Sequence, residues 1–240
     1  MISRPVGLLI PSSNTTVERE YNRVLPPPFQ LHVGRLLMET IDEAGWRSQD
    51  ADLDHQARLL GTARVECIVL AQTAASFFDD NYDTLAIRRM ADAAHAPADT
   101  GGRIVGRAVH ALGARRIALV APWPANMMAL AQRYYETAHD LEVVATESIG
   151  GVSNREGSDI ARDTETAALS RANHRDAELL VLAGGNLPAL DAIAHWERQF
   201  RKPVVTTNQA TLWWIFRTLD PSQHLPGFGR LLDTLPDDRR

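Results

Sequence analysis

A chain of 240 residues with 45% hydrophobic content is long enough to bury a substantial core, as one large α/β domain or two small ones. Its net charge of -5 and scattered arginines exclude a general nucleic-acid surface, which needs clustered basic groups, and no apolar run approaches the ~18–20 residues of a membrane span. A single cysteine, Cys67, excludes an intramolecular disulfide and any multi-cysteine metal site, and a single lysine, Lys202, leaves Schiff-base chemistry without support.

The apolar run Val6 to Ile10 suits a strand buried on both faces, stopped by Pro11, which cannot donate to a sheet ladder. No basic, apolar leader precedes it, so a cytoplasmic location is expected. Ser12-Ser13-Asn14 follow, and Thr15 and Glu18 have the spacing of a capping box at a helix start. A buried strand, a polar turn and a helix N-terminus together leave N–H groups and hydroxyls aimed at one spot, which favours an anion.

Pro26-Pro27-Pro28 interrupts the pattern, and Gln30 to Met38 resumes as a strand. Leu53, Ala57, Leu60 and Ala63 recur at helical spacing within a helix expected over 50–65. Cys67 to Ala71 is the next buried strand and ends in the small-residue turn Gln72 to Ser76. A helix over 85–94, a short extended piece opened by Pro97 and a helix over 104–112 closed by Gly113 complete the first half.

The order then repeats. A strand over 117–121 ends at Pro122-Trp123-Pro124, a helix covers 126–139 and a strand 141–147. A helix near 164–173 and a strand over 179–183 close on Gly184-Gly185-Asn186. A helix over 190–200, a strand over 203–206 and a helix over 209–219 follow, and the segment from Pro221 is expected to form a short helix and a frayed tail. The repeated order suggests two βαβ lobes, each a parallel sheet with helices on both sides, divided as 1–98 plus 208–240 and 99–207. Ligands of such sheets bind beyond the carboxyl ends of the strands, so the cleft between the lobes is the expected site.

The start Gly-Leu-Leu-Ile-Pro-Ser-Ser-Asn-Thr-Thr-Val-Glu, the Ala71-to-Phe77 turn, Ala118-Leu-Val-Ala-Pro122, Leu182-Ala-Gly-Gly-Asn-Leu187 and Pro203-Val-Val-Thr-Thr-Asn-Gln209 resemble the aspartate/glutamate racemase superfamily. Within it the likeness is to the branch of maleate cis-trans isomerase and arylmalonate decarboxylase. The resemblance implies two pseudo-symmetric flavodoxin-like lobes holding a small carboxylate between them, with no cofactor or metal. It also implies a homo-oligomer, a dimer or tetramer. In that family a cysteine from each lobe faces the substrate carbon, and the decarboxylases keep only the second.

Neither cysteine is present. The first-lobe turn, usually Ala-Cys-Thr-Ser-Gly-Ser, reads Ala71-Gln72-Thr73-Ala74-Ala75-Ser76, and the second, usually Ser-Cys-Thr-Asn-Leu, reads Ala183-Gly184-Gly185-Asn186-Leu187. Trp123 stands where a tyrosine often follows the proline. By the resemblance, Asn14 holds a substrate carboxylate, with Ser12 and Thr15 in the same cradle and Thr73, Ala74, Ser76, Trp123, Gly185, Asn186 and Asn208 on the facing turns. Turn stabilisation is the competing explanation for Asn186 and Asn208.

Gln72 is neutral but its amide can donate to an oxyanion, and Gly184-Gly185 bring two backbone N–H groups without side-chain bulk. An acid or base would have to come from Asp79, Asp80, Tyr82, His95 or Asp99; Asp99, commonly threonine in the family, stands out. Cys67 lies at the far end of its strand and is expected to be an inert core thiol. The expectation is a cofactor-independent isomerase or decarboxylase of non-cysteine chemistry acting on a small carboxylate or related carbonyl compound. The alternative is a non-catalytic relative that binds one. A nucleotide site ranks below both, because the glycine patterns that cradle phosphates are missing after Ile10.

Overall fold

A computed structural model describes residues 3–150 and 153–238. Two four-stranded parallel sheets form its frame. The first joins β1 (Arg4–Pro11), β2 (Phe29–Leu36), β3 (Cys67–Leu70) and β4 (Ala98–Thr100) in the order β2-β1-β3-β4. The second joins β5 (Arg116–Ala121), β6 (Glu142–Ser148), β7 (Leu179–Leu182) and β8 (Val204–Thr206) in the matching order β6-β5-β7-β8. The strand order reverses between β1 and β3 and again between β5 and β7, so each sheet has a crevice at the carboxyl ends of those strands.

The connecting helices are α1 (Val17–Val24), α2 (Glu43–Thr62) and α3 (Tyr82–Ala94) in the first half, and α5 (Ala125–His139), α6 (Arg162–Ala172) and α7 (Ile193–Phe200) in the second. The helices that leave the last strand of each sheet, α4 (Gly101–Ala111) and α8 (Thr207–Leu219), pack against one another and join the halves. One apolar cluster runs through both, from Val6, Leu8 and Ile10 of β1 to Leu119 of β5, Val205 of β8 and Trp213 of α8. A second cluster, with Leu9, Leu53, Ile68, Leu70 and Met90, fills the other face of the first sheet. Alternate residues of β1 thus serve opposite faces, the period-2 consequence of a strand buried on both sides.

Several sequence expectations need correction. The helix expected from residue 50 begins at Glu43, because the Asp42 side chain accepts the Gly45 N–H at 2.9 Å and supports a polar first turn that carries no apolar repeat. The lobe boundary placed at residue 99 falls inside β4, whose Asp99 and Thr100 pair with Val69 and Leu70 of the first sheet. The tail is not frayed as far as residue 238. Leu231 and Leu232 of α9 (Arg230–Thr234) are buried, the Trp213 indole donates to the Pro236 carbonyl at 3.0 Å, and Asp238 pairs with Arg107.

The capping box is also replaced. The Asn14 Oδ1, not Thr15, accepts the Thr16 and Val17 N–H groups at 3.0 Å each, while Glu18 turns to Arg35. An asparagine two or three residues before the first free amides reaches both with its carbonyl oxygen, the geometry of an Asx turn.

Candidate functional site

The turns after β1, β3, β5 and β7 meet between the sheets. Two adjoining small cavities lie there, each about 20 Å³, one lined by Met38, Gln72, Thr73, Ala74 and Gly185, the other by Pro122, Ser153, Gly157, Asn186 and Leu187. Ile41, Trp123, Asn154 and Gly184 border both. The volume is that of about one water molecule apiece, less than a ligand of several atoms needs.

The two halves are tied across this cleft by hydrogen bonds. The Thr15 N–H donates to the Asn186 Oδ1 at 2.9 Å, and the Thr16 hydroxyl donates to the Asn186 carbonyl at 2.9 Å. The Asn186 amide in turn donates to the Asn154 carbonyl, and the Asn154 amide to the Ser13 hydroxyl at 2.8 Å. Asn186 therefore spends both ends of its side chain on stitching the halves together. Thr15 contributes its backbone, and its side chain is exposed.

Asn208, at the start of α8, donates to Glu20 at 2.7 Å and to the Gly185 carbonyl at 3.2 Å. Its Oδ1 is buried with no hydrogen-bond partner among the described residues, 3.4 Å from where a side chain on Gly185 would begin. The Glu20 carboxyl also accepts the Leu190 N–H at 3.0 Å, and burial raises its pKa against those two hydrogen bonds. Asn14 approaches the same point, its Nδ2 lying 3.7 Å from that Gly185 position.

Gln72 closes the first-lobe side. Gln49 of α2 donates to its Oε1 at 2.7 Å, and among the described residues its own amide nitrogen meets only the Met38 sulfur, at 3.2 Å. Thioether sulfur is a weak acceptor, so that N–H pair remains available to a stronger one. The Gly184 N–H, expected to face an oxyanion, is instead donated to the Thr207 hydroxyl at 3.1 Å. Only Gly185 of the pair keeps an N–H without a partner among the described residues. Gly184 also adopts φ +123°, and a Cβ there would approach the Pro122 ring to 3.1 Å.

Other expected site residues lie elsewhere. The Ser76 hydroxyl donates to Asp83 at 2.6 Å, away from the cavity and beside Thr100 and Tyr134, which bond the same carboxylate. Ser12 receives the Met38 N–H at 3.1 Å and so holds the rim rather than lining it. Asp99 is buried but lies against Arg103 and Arg107, and does not line the cavity; burial raises its pKa against the pull of both arginines. His95 is exposed in the left-handed turn that ends α3, near the amino end of β4. Asp79 and Asp80 are exposed; Asp79 accepts the Asn81 N–H and Asp80 pairs with Arg133. Burial pushes the Tyr82 hydroxyl well above its ordinary range. Cys67 sits at the amino end of β3, paired in register with Val6, where burial pushes its thiol up to about 12.

The residues that line the cavities include no ionisable group. Sequence reasoning missed Met38, Ile41, Gln49 and Asn154. Gln49 carried a signal, a buried polar residue one turn before Leu53 on the apolar face of α2; the loop residues carried none, because a loop has no period.

The family model described as arylmalonate decarboxylase matches residues 6–232. A maleate isomerase of Pseudomonas putida is 28% identical over 255 residues, spanning 95% of this chain and 96% of that one. An arylmalonate decarboxylase of Bordetella bronchiseptica is 26% identical over 236 residues, spanning 95% and 96%. The crystal structure of a cysteine-to-alanine variant of the maleate isomerase Iso from Pseudomonas putida, with maleate, superposes with a TM-score of 0.91 at 26% identity, covering 97% of this chain and 98% of that one. With matched turns, matched sheets and a family model that covers nearly its full length, the chain belongs to the arylmalonate decarboxylase family.

Proposed function

We propose that this chain is a cofactor-independent isomerase or lyase that holds a small carboxylate in the cleft between its sheets, and that within this class its reaction is decarboxylation. The observation that carries the choice is the absence of any ionisable side chain among the cavity-lining residues, together with a lone thiol at the far end of β3. Covalent cis-trans isomerisation needs a nucleophile, and two-sided racemisation needs two bases. Heterolysis of a malonate-type acid needs neither.

In that reaction the bond between the α-carbon and one carboxylate breaks, carbon dioxide leaves, and the electron pair passes to the remaining carboxylate as an enediolate. Neutral donors suffice to hold that oxyanion. The Gln72 amide, the Thr73 hydroxyl and the Gly185 N–H are the donors we assign, with Asn14 on the carboxylate that stays. A water molecule in the cleft gives its proton to the carbon, and the resulting hydroxide is taken up by carbon dioxide as bicarbonate. Trp123 and Ile41 form the apolar wall beside the departing carboxylate, where low polarity favours the neutral product over the dianion. A dimer or tetramer is part of the proposal, and light scattering on the purified protein reads it.

A second reading, a non-catalytic carboxylate binder, draws on the same uncharged lining. Incubation with maleate and substituted malonates in deuterium oxide separates them. Loss of carbon dioxide with deuterium at the α-carbon supports the lyase. Thermal stabilisation by these acids without turnover supports the binder, and neither response across the panel removes both.

A further inference from the structure

A cavity far larger than those of the cleft lies elsewhere in the molecule. It has a volume of about 350 Å³ and lies between α1 and the segment that joins β7 to α7. That is within the roughly 300–1,000 Å³ typical of small-molecule sites, whereas the cleft cavities are about 20 Å³ each. Its wall is two-sided in chemistry. Val24, Leu190 and Phe228 supply apolar surface, and Arg19, Arg23 and Arg162 supply cationic groups.

The charges are not equally committed. Arg162 pairs with Asp191 at 2.6 Å and donates to the Pro188 carbonyl at 2.9 Å. Glu20, the other acid in the wall, has one oxygen bound by the Leu190 N–H and the other by Asn208. Arg19 and Arg23 lie four residues apart, on one face of α1, with no ion pair among the described residues. The acids of this pocket are thus satisfied and two of its cations are not, beside apolar surface that water covers poorly.

We infer that this pocket is a second binding site, separate from the cleft, for an organic anion with an apolar body. Its carboxylate or phosphate head pairs with Arg19 and Arg23, and its body lies on Val24, Leu190 and Phe228. Guanidinium forks suit either head group, since both present oxygens at matching spacing. The inference does not depend on the reaction assigned to the cleft.

The test is a titration of the isotopically labelled full chain with phenylacetate and, separately, phenyl phosphate, followed by backbone amide shifts. Saturable shifts centred on Val24, Leu190 and Phe228 are expected with at least one probe, and the better probe identifies the head group. In Arg19→Ala/Arg23→Ala the dissociation constant should rise about tenfold or more, as for loss of a charge-assisted hydrogen bond. Both arginines are exposed and have no ion pair among the described residues, so the variant keeps its fold, which the amide spectrum itself reports. Shifts confined to 72–76 and 184–186, an unchanged affinity in the double variant, or equal binding of inorganic phosphate would each overturn the inference. The first of these outcomes would leave the carboxylate cleft standing.

Discussion

Gln49 on α2 donates its side-chain amide to the Oε1 of Gln72 over 2.7 Å, and so decides which end of Gln72 is left for a ligand. The freed amide nitrogen has only the Met38 sulfur beside it. A residue that does not line the cavities thereby sets the polarity of the first-lobe wall. Replacing it, Gln49→Leu, lets the Gln72 amide rotate and should weaken carboxylate binding about tenfold. The buried Oε1 of Gln72 left without a donor should cost about 1–3 kcal/mol of stability. Calorimetric titration with a substituted malonate and urea denaturation measure the two effects, and unchanged affinity would show that Gln72 does not touch the ligand.

Asn14 caps α1 and, in the function proposed above, holds a carboxylate; one pair of variants separates the two. Its Oδ1 accepts two amides at the start of α1, so Asn14→Ala should destabilise the protein by about 1–2 kcal/mol. Asn14→Asp keeps the acceptor and adds a negative charge at a helix N-terminus, which is favourable, so its stability should match the parent. The same charge repels a bound carboxylate. Chemical denaturation near the parent value with lost affinity for malonates is the expected signature of the aspartate variant.

Cysteine at position 184 is the obvious attempt to restore a missing thiol, and the backbone stands against it. With φ at +123° and the Pro122 ring 3.1 Å from a new Cβ, Gly184→Cys should cost about 1–3 kcal/mol and shift the turn. Gln72→Cys carries no such backbone penalty at its own position. Gln72→Cys instead leaves the buried Gln49 amide without its acceptor, so calorimetry should read a lowered melting temperature in both variants, and one nearer the parent when Gln49→Leu is combined with Gln72→Cys.

Glu165 links stability to pH. Its side chain is fully buried, 3.4 Å from the Arg162 guanidinium, and burial outweighs that attraction to push its pKa from 4.5 up to about 8. Between those values the folded protein keeps a proton that the unfolded chain has released. Stability is therefore full below about pH 4.5, falls as pH rises and levels off above about pH 8. The loss is on the order of a few kcal/mol. Denaturation midpoints measured from pH 5 to pH 8 should flatten in Glu165→Gln.

Asp99 gives the opposite forecast from the one its sequence position invites. Its carboxylate is shared by Arg103 and Arg107, and Arg107 continues to Asp238 in the last described residues. Asp99→Asn should cost about 1–3 kcal/mol by removing the charge that Arg103 and Arg107 share, with turnover per folded molecule unchanged. Loss of turnover at full stability would place Asp99 in the reaction after all.

The central strands β1, β3, β5 and β7 were legible because each is a short, nearly continuous apolar run. Burial on both faces of a parallel sheet demands that pattern wherever it occurs. The doubled order of elements and the turns at Ser12, Gln72, Trp123 and Gly184 were legible for the same reason, since a run must end where the chain reaches the crevice. The sequence alone also settles that the chain carries no thiol at the turns after the third and seventh strands, because its one cysteine is Cys67.

What only the tertiary structure decided is where each polar group of those turns spends its hydrogen bonds. Asn14 caps a helix, Ser76 bonds Asp83, the Gly184 N–H goes to Thr207, and Asn186 joins Thr15 to Asn154. Partners separated by up to 171 residues leave no trace in local spacing, and a buried polar group takes whichever partner the fold brings near. The sequence named the residues around the cleft. Packing chose which of their atoms remain free to act there.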